Sequence, residues 1–374
     1  MRIPFIDLRA QYRALKPEID EAVGRVLESG SFVLGEPVER FERAFAAYVG
    51  VKEAVCVSSG TAALQVALMA IGLEPGDEVI IPANTFFATA EAVLWAGGRP
   101  VLVDVREEDA NIDPVAIAGA ITPRTRGIVP VHLYGQMADL GPILEIAARR
   151  GLFVLEDACQ AHGAASGERR AGSVGRAGAF SFYPGKNLGA YGEAGAVVTD
   201  DPEIGRRARM LRDHGQRRKY DHVVLGHNFR LEALQGAVLD VKLRHLEGWN
   251  EARRAVARTY ERALAGLPVT VLPELPGRRH VRHLLVVRSA ARDRLQESLG
   301  RMGIETLIHY PVPLHLQPAL AFLGGREGDH PVAERLAREI LSLPIHPEMA
   351  EDTVLRVADA IADFHRQAAP GGVA

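Results

Sequence analysis

The chain has 374 residues, 47% of them hydrophobic and 24% charged, and a formal net charge of −3. That length supports a large core and favours two domains over one, while the mild negative charge speaks against a protein built mainly to bind nucleic acid. Cys56 and Cys159 are the only cysteines, too few for a disulfide framework or a zinc site, and they read as free thiols of a reducing cytoplasm.

The N-terminus, Met1 to Asp7, has neither the apolar run nor the cleavage site of a signal peptide. No segment approaches the roughly 18 continuous apolar residues of a membrane span, so a cytoplasmic protein without membrane attachment is expected. Residues 1–30 read as an arm followed by a helix that Pro17 opens and Gly30 closes, with Ile19, Val23, Val26 and Leu27 at helical spacing. A second helix is expected over 37–48, with Val38, Phe41, Phe45 and Tyr48 on one face. Beyond it, short apolar runs alternate with amphipathic stretches. Strands are predicted over 54–57, 78–81, 100–105, 127–132, 152–155 and 177–183, and helices over 62–71, 88–95 and 140–150. The alternation predicts an α/β fold with a mostly parallel sheet and helices on both faces, its ligands at the carboxyl ends of the strands.

Further helices are expected over 201–212 and 231–264, the second broken near Gly248. Composition changes at 268–277, which holds three prolines. A strand over 283–288 and helices over 292–302 and 332–341 then suggest a smaller α+β domain. The expected division is an arm and helix (1–30), a large domain (31–248) and a small C-terminal domain (249–374). The arm has two possible seats, the small domain or a partner subunit. A short tail, 370–374, is the one low-complexity segment.

Three strand ends carry chemistry. The first is Ser181-Phe-Tyr-Pro-Gly-Lys186-Asn-Leu-Gly-Ala-Tyr-Gly192, which delivers Lys186 on a loop between a strand end and a run of glycines. A lysine partly desolvated there loses proton affinity, and its free amine can attack a carbonyl. A phosphate-binding P-loop does not fit, since it needs four residues between its glycines and Ser or Thr after the lysine. The second is Ser58-Ser-Gly-Thr61, where hydroxyls and a glycine enter a helix N-terminus, suited to an anion but also to a plain helix cap. The third is Glu156-Asp157, with Asp157 placed either to pair with a cation or to cap a turn. Together, an anion cradle, a carboxylate and a reactive lysine are what pyridoxal 5′-phosphate requires.

These residues sit in a chain that resembles the sugar aminotransferases of the DegT/DnrJ/EryC1/StrS family, of fold type I (aspartate aminotransferase-like). The resemblance runs from Pro4-Phe-Ile-Asp-Leu to Leu341-Ser-Leu-Pro344. It is carried by Ser58-Ser-Gly-Thr61, Pro130-Val-His-Leu-Tyr-Gly-Gln136, Glu156-Asp-Ala-Cys-Gln-Ala-His-Gly163, the Lys186 stretch, Asp213-His-Gly-Gln216, Gly226-His-Asn-Phe-Arg-Leu231 and Ile308-His-Tyr-Pro311. The resemblance implies Lys186 as the Schiff-base lysine and proton carrier, Asp157 opposite the pyridinium nitrogen and Gln160 on the ring oxygen. It further implies Gly60, Thr61 and Ser181 on the phosphate, Phe86 on the ring face, and Asn228 reaching the phosphate of a neighbouring subunit, so that a homodimer shares its active sites. For Phe86 a core aromatic is the plain alternative.

The resemblance departs at Ala62, where relatives carry Asp or Asn, and at His227 and Phe229, where Tyr and a small residue are usual. Tyr183 is taken as a substrate candidate. By resemblance, Lys219 and Tyr220 lie in a loop able to approach a nucleotide-sugar diphosphate. His309, Tyr310 and His315, in a Pro-rich loop, are substrate candidates or structural residues. The arginines from Arg206 to Arg218 read mostly as a solvated helix face. The 13 histidines show no zinc-ligand spacing, so no metal is expected. The implied reaction moves an amino group, from L-glutamate or another amino acid, to a nucleotide-linked keto-sugar. A thymidine-diphosphate 3-keto-6-deoxyhexose is favoured. A 4-keto sugar, a UDP-linked 3-keto sugar, a cyclitol ketone and a non-catalytic cofactor-binding regulator are the alternatives.

Overall fold

Seven strands form the central sheet: β1 (Glu53–Val57), β2 (Glu78–Pro82), β3 (Arg99–Val103), β4 (Thr125–Ile128), β5 (Phe153–Asp157), β6 (Ala177–Ser181) and β7 (Gly195–Thr199), in the order β1-β7-β6-β5-β4-β2-β3. The computed structural model describes residues 2–368, so the tail of 370–374 lies outside the described residues. The pairs β2–β3, β2–β4, β4–β5 and β5–β6 are parallel, and β7 runs antiparallel to both β1 and β6. A mostly parallel mixed sheet was expected. The reversed strand β7, Gly-Ala-Val-Val-Thr, has no counterpart among the predicted strands.

Strand residues alternate between two cores. Ala54, Cys56, Phe180, Ala196 and Val198 join one with Phe41 and Phe45 of helix α2 (Glu36–Val49). Val55, Val57, Ala179 and Val197 join another with Leu64, Val66 and Leu68 of helix α3 (Gly60–Ile71). This two-sided burial is the reason the strands read as continuous apolar runs.

Several boundaries move for identifiable reasons. The first helix spans Leu8–Ser29, with Pro17 inside it. Asp7, not Pro17, sets its start by accepting the amides of Arg9 and Ala10 (3.1 and 3.0 Å). Gly30 ends it in the left-handed conformation (φ 64°), as expected. The predicted strand over 127–132 is regular only from Thr125 to Ile128, because Pro130 has no N–H to donate. The long helical stretch breaks at 244–245, between Ala233–Leu243 and Leu246–Ala263. Gly248 lies within the second piece, where a helical glycine costs about 1 kcal/mol without ending the helix.

The predicted helix over 332–341 stops at Glu339. Ile340–Leu343 is instead a fully buried strand paired antiparallel with Leu285–Arg288. This second sheet, with Thr270–Val271 on its edge, shares a core with Val256 and Tyr260 of helix Leu246–Ala263 and with Val354 and Ile361 of helix Glu351–Ala368. The arm seats on that part of its own chain: the Ile3 amide donates to the Gly303 carbonyl (2.8 Å), and the Glu305 amide donates back to the Ile3 carbonyl (3.0 Å).

Beside the large sheet, Lys242 is a buried ammonium that donates to the Gly189 carbonyl (2.7 Å) and lies 4.1 Å from the centre of the Tyr191 ring. Burial pushes it down from 10.5 to about 7. Between those values the unfolded chain carries a proton that the folded one has lost, so this group makes stability rise with pH. The wild-type unfolding free energy should gain about 2 kcal/mol from this lysine between about pH 7 and pH 9, and Lys242→Met should remove that slope. Denaturant titrations at the two pH values check it.

Candidate active site

After β6 ends at Ser181 the chain folds back on itself. The Lys186 amide donates to the Tyr183 carbonyl and the Ala190 amide to the Phe182 carbonyl, both at 2.8 Å. Gly189 is required there, since an added Cβ would lie 2.3 Å from the Pro184 carbonyl oxygen. Two neighbours anchor the turn. Phe182 is fully buried, edge-on to Phe45 with ring centres 5.1 Å apart. The Asn187 side chain donates to Asn250 (2.8 Å) and to the Val281 carbonyl (3.0 Å), and its oxygen lies 3.2 Å from His283 Nδ1. Lys186 is thereby held half-buried while its amine enters no hydrogen bond or ion pair among the described residues. Burial lowers its proton affinity, and the charge of Asp157 opposes that shift in part.

Strand β5 ends in two carboxylates facing opposite sides of the sheet. Glu156, fully buried, pairs with His132 Nε2 (2.8 Å) and accepts the amides of Gly172, Val174 and Gly175 (2.9, 2.7 and 2.7 Å). Burial alone would raise its pKa, but His132 and these amides outweigh burial and the net shift is downward. Asp157 makes two contacts of its own: Oδ2 accepts the Thr89 hydroxyl (2.9 Å) and Oδ1 the Cys159 amide (3.2 Å). Two of about four lone-pair positions on an ionised carboxylate are thus taken.

The N-terminus of α3 closes the group. Ser59 is its cap, its hydroxyl accepting the Ala62 amide (3.1 Å), so the plain reading holds for that serine. Among the described residues the amides of Gly60 and Thr61 donate to no protein acceptor. Gly60 lies so close to β6 that an added Cβ would come within 2.5 Å of Ser181 Cβ and 3.1 Å of Cys159 Sγ. Gly195 makes the same approach on the other side, its added Cβ falling 2.2 Å from the Ser59 carbonyl. Gly60, Ser181 and the end of β5 are therefore one locus, with free amides facing it.

The remaining candidates divide. Phe86 is 56% exposed, with its ring 5.8 Å from that of Tyr310, so it is no core aromatic. Gln160 accepts the Tyr134 amide (2.7 Å) and donates to the Tyr310 hydroxyl (3.1 Å), which leaves one of its amide hydrogens unassigned. Tyr134 in turn donates to the His309 carbonyl (2.5 Å). Burial, with the charge of Lys186, pushes His309 down to about 4, so its ring is neutral at neutral pH. Tyr183 is exposed.

His315 is 3% exposed and bonded to Glu334 (2.9 Å), which ties its ring into the fold. Arg212 is the exception in a mostly exposed basic run, a buried partner of Glu42 (2.5 Å) that also donates to the Cys56 carbonyl (2.8 Å), unlike the salt-bridged surface residues Arg206 and Arg209. Lys219 and Tyr220 sit at the tip of an exposed hairpin, and Asn228 lies beyond it. Among the described residues no hydrogen bond, ion pair or ring contact joins any of these three to Gly60, Ser181 or Lys186. Sequence reasoning passed over Thr85 and Thr89, which share a bond at 3.0 Å beside Asp157; their i, i+4 spacing into helix α4 (Ala88–Trp95) was the available signal.

The model of the DegT/DnrJ/EryC1/StrS aminotransferase family matches residues 13–362. A dTDP-3-amino-3,4,6-trideoxy-alpha-D-glucose transaminase from Streptomyces venezuelae is 50% identical over 364 residues, 97% of this chain and 96% of that protein. The crystal structure of S. venezuelae DesV, in complex with a ketimine intermediate, superposes with a TM-score of 0.95 at 49% identity, covering 97% and 98% of the two chains. That of NtdA from Bacillus subtilis, with bound cofactor PMP, gives a TM-score of 0.91 at 33% identity, covering 98% of this chain and 86% of that one. The chain belongs to the DegT/DnrJ/EryC1/StrS aminotransferase family, and the sequence resemblance is borne out.

The Asn187 anchor can be tested without a ligand. Asn187→Ala strands the buried groups it now bonds and should cost about 3 kcal/mol of stability, read as a lowered denaturation midpoint. A change below about 0.5 kcal/mol would contradict the anchoring role.

Proposed function

We propose that this chain transfers an amino group from an amino acid, L-glutamate, to the 3-ketone of a thymidine-diphosphate 6-deoxyhexose, using pyridoxal 5′-phosphate. The observation that carries this reading is the unpartnered Lys186 amine, set beside Asp157 and the open N-terminus of α3. The name of the Streptomyces relative supports the sugar and the carbon, and the PMP bound to the Bacillus protein supports the cofactor.

The residues present suit that cofactor. Gly60 and Thr61 offer amides to a phosphate where no side chain could fit at position 60, and Ser181, whose Cβ lies against Gly60, carries a hydroxyl suited to the same group. Asp157 keeps lone pairs for a pyridinium N–H. The spare amide hydrogen of Gln160 suits the ring oxygen, and exposed Phe86 suits the ring face. When bound, pyridoxal phosphate stores the amino group and spreads the electron pair left by the donor's Cα proton. Lys186 holds the cofactor's aldehyde carbon between turnovers. Once released, its amine would carry the donor's Cα proton to that same aldehyde carbon; burial favours the neutral amine this needs.

Tyr183, Lys219, Tyr220, His309 and Tyr310 are the residues assigned to the sugar nucleotide, whose two phosphates suit the lysine. Asn228 reaches the phosphate of a second subunit, making the homodimer the active form. Exposed apolar residues beside it, Leu225 at 92% and Val223 and Val224 at 45%, give such a partner a surface to cover. The division into an arm, a large domain over 31–248 and a small one over 249–374 is part of the same reading.

Three outcomes are expected. The purified enzyme should turn over the 3-keto thymidine-diphosphate sugar in preference to the 4-keto isomer, and the reverse preference would exclude the assigned carbon. Activity per chain should fall on dilution below the dimer's dissociation constant; fully active monomers would exclude shared sites. Gly60→Ala should weaken binding of pyridoxal phosphate at least about tenfold, since the added methyl forces α3 away from Ser181.

A further inference from the structure

We infer that Thr89 is a positioning residue for Asp157, and that Thr85 stands behind it in a one-way chain of hydroxyl donors. All three side chains are buried: Thr85 is 4%, Thr89 2% and Asp157 5% exposed. The direction of the chain follows from counting protons. An ionised carboxylate only accepts, so the single Thr89 hydroxyl proton goes to Asp157 Oδ2 at 2.9 Å. Thr89 can then only accept from Thr85, 3.0 Å away, whose own proton completes the pair. With Oδ1 taking the Cys159 amide, each carboxylate oxygen is held by one donor, and the rotation of the group is fixed.

The backbone makes this arrangement local. Thr85 and Thr89 flank the entry to α4, and the Thr89 amide donates to the Phe86 carbonyl (3.1 Å). One turn of chain thus carries both the ring proposed to cover the cofactor's face and the hydroxyl that orients the group at its edge. A buried hydrogen bond to a charged acceptor is among the stronger kinds, and removing its donor leaves the carboxylate held at Oδ1 alone. The inference rests on the proposal that Asp157 pairs with the cofactor's ring nitrogen.

The test compares binding of pyridoxamine phosphate with that of its deaza analogue, in which the ring nitrogen is carbon, to the cofactor-free full-length chain by calorimetry. Wild type should prefer pyridoxamine phosphate by about a hundredfold, the contribution of a charged buried pair. Thr89→Val should lower that preference about tenfold while leaving the affinity for the deaza analogue near wild type, and Thr89→Ser should restore it. Thr85→Val should lower it less than about threefold and add nothing to Thr89→Val. An undiminished preference in Thr89→Val would overturn the inference. So would equal loss of both ligands in Thr89→Val, which marks a structural role. Equal binding of both ligands by wild type would instead overturn the pairing of Asp157 with the ring nitrogen.

Discussion

Two adjacent carboxylates end strand β5, and their opposite treatment organises what lies around them. A strand must send neighbouring side chains to opposite faces. Glu156 goes into the core, where an unpaired charge would be prohibitive, and it gathers His132 and three loop amides from 172–175 to satisfy it. Those contacts fix the chain just before β6, the strand that leads to Lys186. Asp157 goes to the other face and keeps part of its hydrogen-bonding capacity open. The buried member of the pair thus helps to build the site, and the other is left to act in it.

Close backbone approach supplies the rest. The locus exists because Gly60 lets α3 approach β6, Gly195 lets β7 approach the start of α3, and Gly189 lets the lysine turn close on Pro184, each nearer than any side chain would permit. The anchors on either side of Lys186 are of different kinds, Phe182 in an aromatic cluster and Asn187 in a polar net. Both are buried, which confines the freedom of the turn to the lysine side chain itself. A reactive amine can be half-buried and unpaired only if its surroundings are stable without it.

Much of this was legible in the sequence because it rests on local rules. Apolar runs bounded by turn residues located β1, β2 and β5, and helical periodicity placed 88–95 and 140–150 at their observed limits. Strand β7 escaped because its glycine and alanine give weak strand preference; only pairing between β1 and β6 makes it one. Ile340 and Leu341, the first half of the strand Ile340–Leu343, were read as helix because a short apolar run fits both periods until its partner is known. In the site, Lys186, Asp157 and the α3 N-terminus stood out as strand-end chemistry. His315, Arg212 and Thr89 did not declare their roles, because each depends on a partner distant in sequence: Glu334, Glu42 and Asp157.

The central claim is that Lys186 holds a cofactor that exchanges amino groups. It is tested most directly by the visible absorbance of the protein loaded with pyridoxal phosphate, recorded before and after addition of L-glutamate, beside Lys186→Ala. The account predicts a band in wild type that converts to the spectrum of pyridoxamine phosphate with release of 2-oxoglutarate, and no such conversion at a comparable rate in the variant. A wild-type protein that takes up no pyridoxal phosphate, or a variant that converts as fast as wild type, would contradict it.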